Sequence, residues 1–127
     1  MKVFFQTWGL IILSAFLDSY AAYIVKVQFN KLGAMDLSSV RSIASYLWQF
    51  VQHPILLSAI IAFVMAPGLW FLALNRMDLS VGYPALVGFH LIFILVFGLC
   101  FLGEAMTMNK AIGTSLIFVS LYFLYKQ

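Results

Sequence analysis

Long apolar runs alternate with short polar breaks along the chain. The first run covers 3–25, interrupted by Gln6, Thr7, Ser14 and the pair Asp18-Ser19 and closed by Lys26. Three more cover 54–74, 81–101 and 107–125, separated by Asn75-Arg76-Met77-Asp78 and Gly103-Glu104, with Lys126 after the last. A helix needs roughly 20 apolar residues to cross a hydrocarbon core about 30 Å thick, so the pattern predicts four transmembrane helices. The connector after the second run allows only a tight turn, which makes spans two and three antiparallel neighbours. Pro54 suits a helix start, whereas Pro67-Gly68 inside span two removes a backbone donor and predicts a kink.

Between the first two spans the pattern changes. Leu37, Val40, Ile43, Ala44, Leu47, Phe50 and Val51 recur at three- and four-residue spacing, predicting an amphipathic helix over 37–52. Arg41, Ser42, Ser45, Gln49 and Gln52 fall mainly on its other face, as a helix lying in the membrane interface requires. Asp36 is placed to cap it, and Tyr46 and Trp48 suit headgroup depth. A short extramembrane helix packed on loops is the alternative.

Composition agrees with a chain immersed in lipid. It is 65% hydrophobic and 9% charged, with a mean hydropathy of +1.05, against roughly 45–50% and 25% for soluble proteins. The expected architecture is an all-α membrane protein, one domain over 1–127, with four spans and an interfacial helix between spans one and two. The first run continues beyond Asp18, longer than the roughly 7–15 residues of a signal-peptide core, so a retained span is expected. The single Cys100 excludes an internal disulfide framework, and two histidines without metal-ligand spacing predict neither a metal site nor a cofactor. The net charge of +3 comes from scattered Lys and Arg that form no basic stripe, which argues against nucleic acid. Lys2, Arg76 and Lys126 fall on one side of a four-span topology, against Lys26, Lys31, Arg41 and Lys110 on the other. That near balance is compatible with insertion in both orientations and an antiparallel pair.

Chemistry is expected where polar groups enter the spans. An ionisable side chain inside a membrane costs about 2.5–3.5 kcal/mol on insertion scales and normally faces a bundle interior or a wet cavity. Asp18 is such a group, with the small residues Ser14, Ala21 and Ala22 one turn away, and it can exchange protons or hold a cation. His90, in span three, shares a helical face with Tyr83, Val87 and Ile94, and that face offers a hydroxyl and an imidazole. Asp18, Ser14, Tyr83 and His90 are therefore the expected substrate or proton pathway, the structural alternative being buried interhelical contacts. Glu104 suits the start of span four as an acid at a helix N-terminus. Lys31 and Arg76 are candidates for phosphate or headgroup contact. No nucleophile set, phosphate-cradling loop or carboxylate pair points to catalysis.

Several segments together resemble the drug/metabolite transporter superfamily, in its four-helix, small multidrug resistance-like branch. They are Trp70-Phe71-Leu72-Ala73-Leu74-Asn75-Arg76, Leu79-Ser80-Val81-Gly82-Tyr83-Pro84, Phe101-Leu102-Gly103-Glu104, and Ile112-Gly113 leading to Leu116-Ile117. They cover about half the chain in the family's order. The multidrug group carries a span-one glutamate with a lysine eight residues later; Asp18 and Lys26 reproduce that spacing with a shorter acid. Where that group has tryptophan three residues after its span-three tyrosine, this chain has Leu86. A second register sets Lys31-Leu32-Gly33 at the end of span one and puts Tyr23 in the acid's place. Tyr83-Pro84, Gly103-Glu104 and the amphipathic linker are more similar to the small flippase subunits for lipid-linked aminoarabinose.

That resemblance implies a bacterial inner-membrane transporter subunit that moves an amphiphile, such as a polyprenyl-phosphate-linked sugar. It implies a homodimer, or a heterodimer with a similar small subunit, in contact with membrane lipid. Gly113 and Ser120 would lie at the dimer seam, and the phosphate would sit near Lys31 or Arg76. Two other functions stay open: proton-coupled export of cationic compounds, and a membrane assembly partner that transports nothing.

Overall fold

The computed structural model describes the backbone of residues 2–126 and the side chains of 6–123 and 126. Five helices follow one another: α1 (Lys2–Leu32), α2 (Val40–Val51), α3 (Pro54–Leu74), α4 (Leu79–Val96) and α5 (Met108–Tyr125). A π-helical turn, Phe97–Phe101, extends α4. Three segments among the described residues are long and apolar enough to cross a membrane: Gln6–Leu32, Pro54–Leu74 and Leu79–Phe101. The region of the fourth expected span forms α5, whose first two turns carry the polar residues Asn109, Lys110, Thr114 and Ser115. The chain is a multi-pass membrane protein.

α1 outlasts its apolar run. Hydropathy marks where lipid contact ends, whereas a helix continues until its hydrogen bonds are capped. Here that happens at Gly33, whose N–H bonds to the Phe29 carbonyl at 2.9 Å in a left-handed conformation, φ +79°, that glycine adopts without strain. α2 likewise starts later than the sequence predicts, and its cap is not Asp36. The Ser39 side chain accepts from the Ser42 N–H at 3.1 Å, while Asp36 folds into a turn and accepts from the Ser38 N–H at 2.9 Å. Two adjacent side-chain acceptors compete, and the one three residues before the receiving N–H wins.

α1 lies between α3 and α4. It runs antiparallel to α3, as the pairs Tyr20 with Ser58 and Ser14 with Ala66 require. It runs parallel to α4, since Trp8 meets Phe89, Phe16 meets Phe93 and Tyr23 meets Phe97 in order along both helices. The α1–α3 seam is built from small residues. Ala59, Ala62, Ala66 and Ala73 on α3 and Ser14, Ala15 and Ala21 on α1 are buried, allowing the close backbone approach on which membrane helix packing depends. α3 continues as helix through Pro67, and the carbonyl of Ala66 accepts from the buried Ser14 hydroxyl at 2.7 Å.

α5 packs on α4, on the side away from α3. Gly88 of α4 is buried, and the space its missing Cβ would take is filled by Leu121 of α5. The two outer ends of the chain fall at one end of the bundle: Arg76, in the α3–α4 connector, donates to Gln6 of α1 at 3.4 Å, and Trp8 and Tyr122 line one cavity. At the opposite end α2 folds back on α1. Phe50 stacks on Phe29 with ring centres 5.0 Å apart, and the Tyr46 hydroxyl donates to the Gly33 carbonyl at 2.7 Å.

Candidate functional site

The parallel arrangement of α1 and α4 brings the two mid-span ionisable residues together. Asp18 Oδ2 lies 3.2 Å from His90 Nδ1, with the side chains 37% and 34% exposed, respectively. The two groups are within ion-pair distance, and the contact is a full ion pair when the carboxyl is ionised and the imidazole protonated. The next residue on α1, Ser19, is fully buried and donates to the His90 backbone carbonyl at 3.4 Å. The pair is thus fixed from both sides of one α1 turn. Asp18 is roughly 18 Å along α1 from Gln6, and His90 roughly 16 Å along α4 from its first residue, which sets the pair mid-way through the bundle.

Aromatic rings flank the pair along the same seam. Phe16 meets Phe93 edge-on at 5.4 Å, and Tyr23 stacks on Phe97 at 5.0 Å. The carboxylate and imidazole are therefore held between apolar walls yet remain half open on the bundle's flank. Such a site can exchange a proton between two groups or bind a polar, hydrogen-bonding group passing along the face.

The other expected pathway residues are placed apart. Ser14 is spent on the α3 backbone, at Ala66. Tyr83 lies two turns from His90 toward the Arg76 end, packed edge-on against Trp70 with ring centres 6.2 Å apart. Lys31 and Arg76 occupy opposite ends of the molecule. Lys31 ends α1, and Arg76 joins Gln6 near its beginning, roughly 38 Å apart along the helix axis.

Beside the Lys31 end is an open cleft of about 530 Å³ lined by Lys26, Phe29, Asn30, Gly33, Ala34, Met35 and Tyr46. Asn30 was not singled out by sequence, because the face it shares with Lys26 depends on α1 continuing beyond its apolar run. In the turn before α2, the Ser38 backbone N–H and then its hydroxyl hold the Asp36 carboxyl below its ordinary value.

Glu104 does not start α5. Thr107 caps that helix, accepting from the Lys110 N–H, and Glu104 sits three residues earlier in the loop. Its N–H bonds to the Gly98 carbonyl at 2.9 Å, and its carboxylate pairs with Lys110 at 3.3 Å. Gly103, in a left-handed conformation at φ +66°, turns the chain back to make the bond to Gly98, and no residue in 97–101 announces the π-helical turn in sequence. Gly113 and Ser120 are exposed on α5. Nothing lies within 4 Å of a Cβ placed on Gly113, and the Ser120 hydroxyl folds back to Leu116 of its own helix at 3.0 Å.

Comparison with known proteins gives a relative of the kind the motifs resemble. Over 67 residues the chain is 37% identical to a probable 4-amino-4-deoxy-L-arabinose-phosphoundecaprenol flippase subunit, ArnF, of Enterobacter sp. (strain 638). The match covers 52% of this chain and 53% of the relative, so the chain spans about half the length of the curated relative it matches. No protein-family model matches the chain, and no solved structure does.

Proposed function

We propose that this chain is a subunit of a membrane transporter, not an enzyme, and moves a polyprenyl-phosphate-linked sugar or a similar amphiphile across a bacterial inner membrane. The observation that carries the reading is the half-exposed Asp18–His90 pair, mid-way along two parallel helices and between two cationic ends. A polar headgroup crossing the bilayer needs hydrogen-bonding partners at the midplane, where water is absent, and an acid beside an imidazole supplies acceptors and donors together. The roughly 38 Å from Arg76 to Lys31 approaches the roughly 40–45 Å between the two headgroup layers. A phosphate therefore has a cation at each face, Arg76 on one and Lys31, with the Lys26 cleft, on the other.

α5 is the fourth span in this reading: its 18 residues are within the usual range of about 17–25. α2 lies in the interface, its outward stripe of Val40, Leu47, Trp48 and Val51 exposed and its Tyr46 and Phe50 turned toward α1. The Asp18–His90 pair is half-exposed on the bundle's flank, so a single copy leaves the site open. A second copy or a similar small subunit completes the site, docking along the exposed Gly113 and Ser120 face of α5, where small side chains let helices approach.

The test is competition binding to the purified protein, read by native mass spectrometry, between a polyprenyl phosphate and a quaternary ammonium compound. Retention of the polyprenyl phosphate on a dimer is the expected result. A dimer that binds only the cation, and loses it in Asp18→Asn, would replace this reading with cation export.

A further inference from the structure

On the side of α4 away from α3 lies an apolar slot that the Asp18–His90 pair does not use. Its volume is about 270 Å³, and α4 supplies one long wall, from Val81 through Ala85 and Gly88 to Ile92. Phe118 and Tyr122 of α5 and Trp8 of α1 also line it. Val81 to Ile92 spans roughly 16 Å of helix, about half the thickness of the hydrocarbon core, so the slot is one leaflet deep. The volume is below the roughly 300–1,000 Å³ of pockets for compact ligands, and an elongated space of that size takes one hydrocarbon chain, not two.

The end of the slot lined by Trp8, Val81 and Tyr122 is the Arg76 end of the bundle. Arg76 stands five residues before Val81, held beside α1 by Gln6, and Lys126, exposed, follows α5. Asp78 is the one acid of that connector. Arg76 presents a planar fork of donors of the kind that matches phosphate oxygens in pairs. A one-chain slot ending at a guanidinium is complementary to a single-chain lipid with a phosphate head.

We infer that the α1–α4–α5 slot seats the isoprenoid chain of a polyprenyl phosphate, with the phosphate at Arg76. This assignment rests on the transport reading and deepens it. The chain is parked on the outer side of α4 while the polar head reaches the Asp18–His90 side of the same helix.

The test is titration of the purified full chain in detergent with a polyprenyl phosphate, the matching polyprenol and a straight-chain lysophosphatidic acid, read by native mass spectrometry. Two substitutions fill the slot, Ala85→Phe and Ile92→Trp; the second is at a position already 40% exposed, so circular dichroism should report an intact helical fold. Both should weaken polyprenyl phosphate by about tenfold or more, and Arg76→Gln should erase most of the preference for the phosphate over the alcohol. Wild-type affinity in both filled variants would overturn the slot and leave the transport reading standing. Tighter binding of the lysophosphatidic acid, with the same sensitivity to Ala85→Phe, would overturn the isoprenoid occupant and the carrier reading together. Loss of the dimer in the filled variants, with no lipid added, would assign the slot to a second copy and overturn the proposal.

Discussion

Asp18 of α1 and His90 of α4 meet at 3.2 Å, carboxylate to imidazole Nδ1, half-way along two helices that run in the same direction. An interhelical polar contact in a membrane protein averages about 0.6 kcal/mol and reaches roughly 1.7. Removing it therefore does little to the fold, and Asp18→Asn or His90→Gln should insert and fold while transport falls. Purified yield, helicity and vesicle transport measured side by side check this; a variant that folds and transports at the wild-type rate contradicts it.

Gly88 and Leu121 give a sharper test of how α5 is held. Leu121 occupies the space beside Gly88, so Gly88→Val should overpack the α4–α5 contact at a cost of about 1–3 kcal/mol. Leu121→Ala should restore much of that in the double variant, because it vacates the same volume. Unfolding in a denaturing detergent, followed by circular dichroism, checks the pair. Equal destabilisation in the single and double variants would mean that the two residues are not in contact.

The long apolar elements of this fold are legible in hydropathy, and the pairing of its polar groups is not. Pro54 and the polar connector at Asn75 mark the ends of α3 because proline fixes a helix start and a polar tetrapeptide cannot stay in lipid. The end of α1 is set instead by Gly33 in a left-handed conformation, a backbone property to which a hydropathy pattern is blind. Asp18 and His90 both stand out in sequence as costly groups inside spans. That they touch, while Ser14 turns to α3 and Tyr83 to Trp70, depends on which helix α1 lies beside and in which direction. The π-helical turn over Phe97–Phe101 leaves no trace in composition.

The turn before α2 carries a pH dependence of known sign. Asp36 accepts from the Ser38 N–H at 2.9 Å and the Ser38 hydroxyl at 2.8 Å, and these bonds hold its pKa below the ordinary value. A lowered value in the folded state means that the turn is stabilised above the unfolded carboxyl's titration and loses that stabilisation as pH falls through the folded one. A carboxyl-detected NMR titration should find Asp36 titrating below an ordinary aspartate, with Ser38→Ala moving it upward. An ordinary midpoint in the wild type would contradict the turn.

The Ser39 cap of α2 is separable from that turn. Ser39→Ala removes the acceptor for the Ser42 N–H and should cost about 1 kcal/mol, within the usual range of roughly 0.5–2. Amide hydrogen exchange should rise over the first turn of α2 and stay unchanged in α3. Unchanged protection at Ser42 would show that the cap contributes nothing.

The exposed face of α5 predicts the assembly. Gly113→Leu and Ser120→Leu each place a large side chain where a packed helix is proposed to sit, and should shift the protein from dimer to monomer in detergent. Light scattering after size exclusion reads the mass directly. A dimer of unaltered stability in both variants would move the interface elsewhere.

The central claim is translocation of a lipid-linked headgroup past Asp18 and His90. It is tested most directly by reconstituting the protein, with its partner subunit where one is required, into vesicles carrying a polyprenyl-phosphate-linked sugar. The fraction of headgroup reached by a membrane-impermeant reagent is then followed with time. The account predicts protein-dependent exchange between leaflets that is lost in Asp18→Asn. Exchange at the protein-free rate, or at full rate in Asp18→Asn, would contradict it.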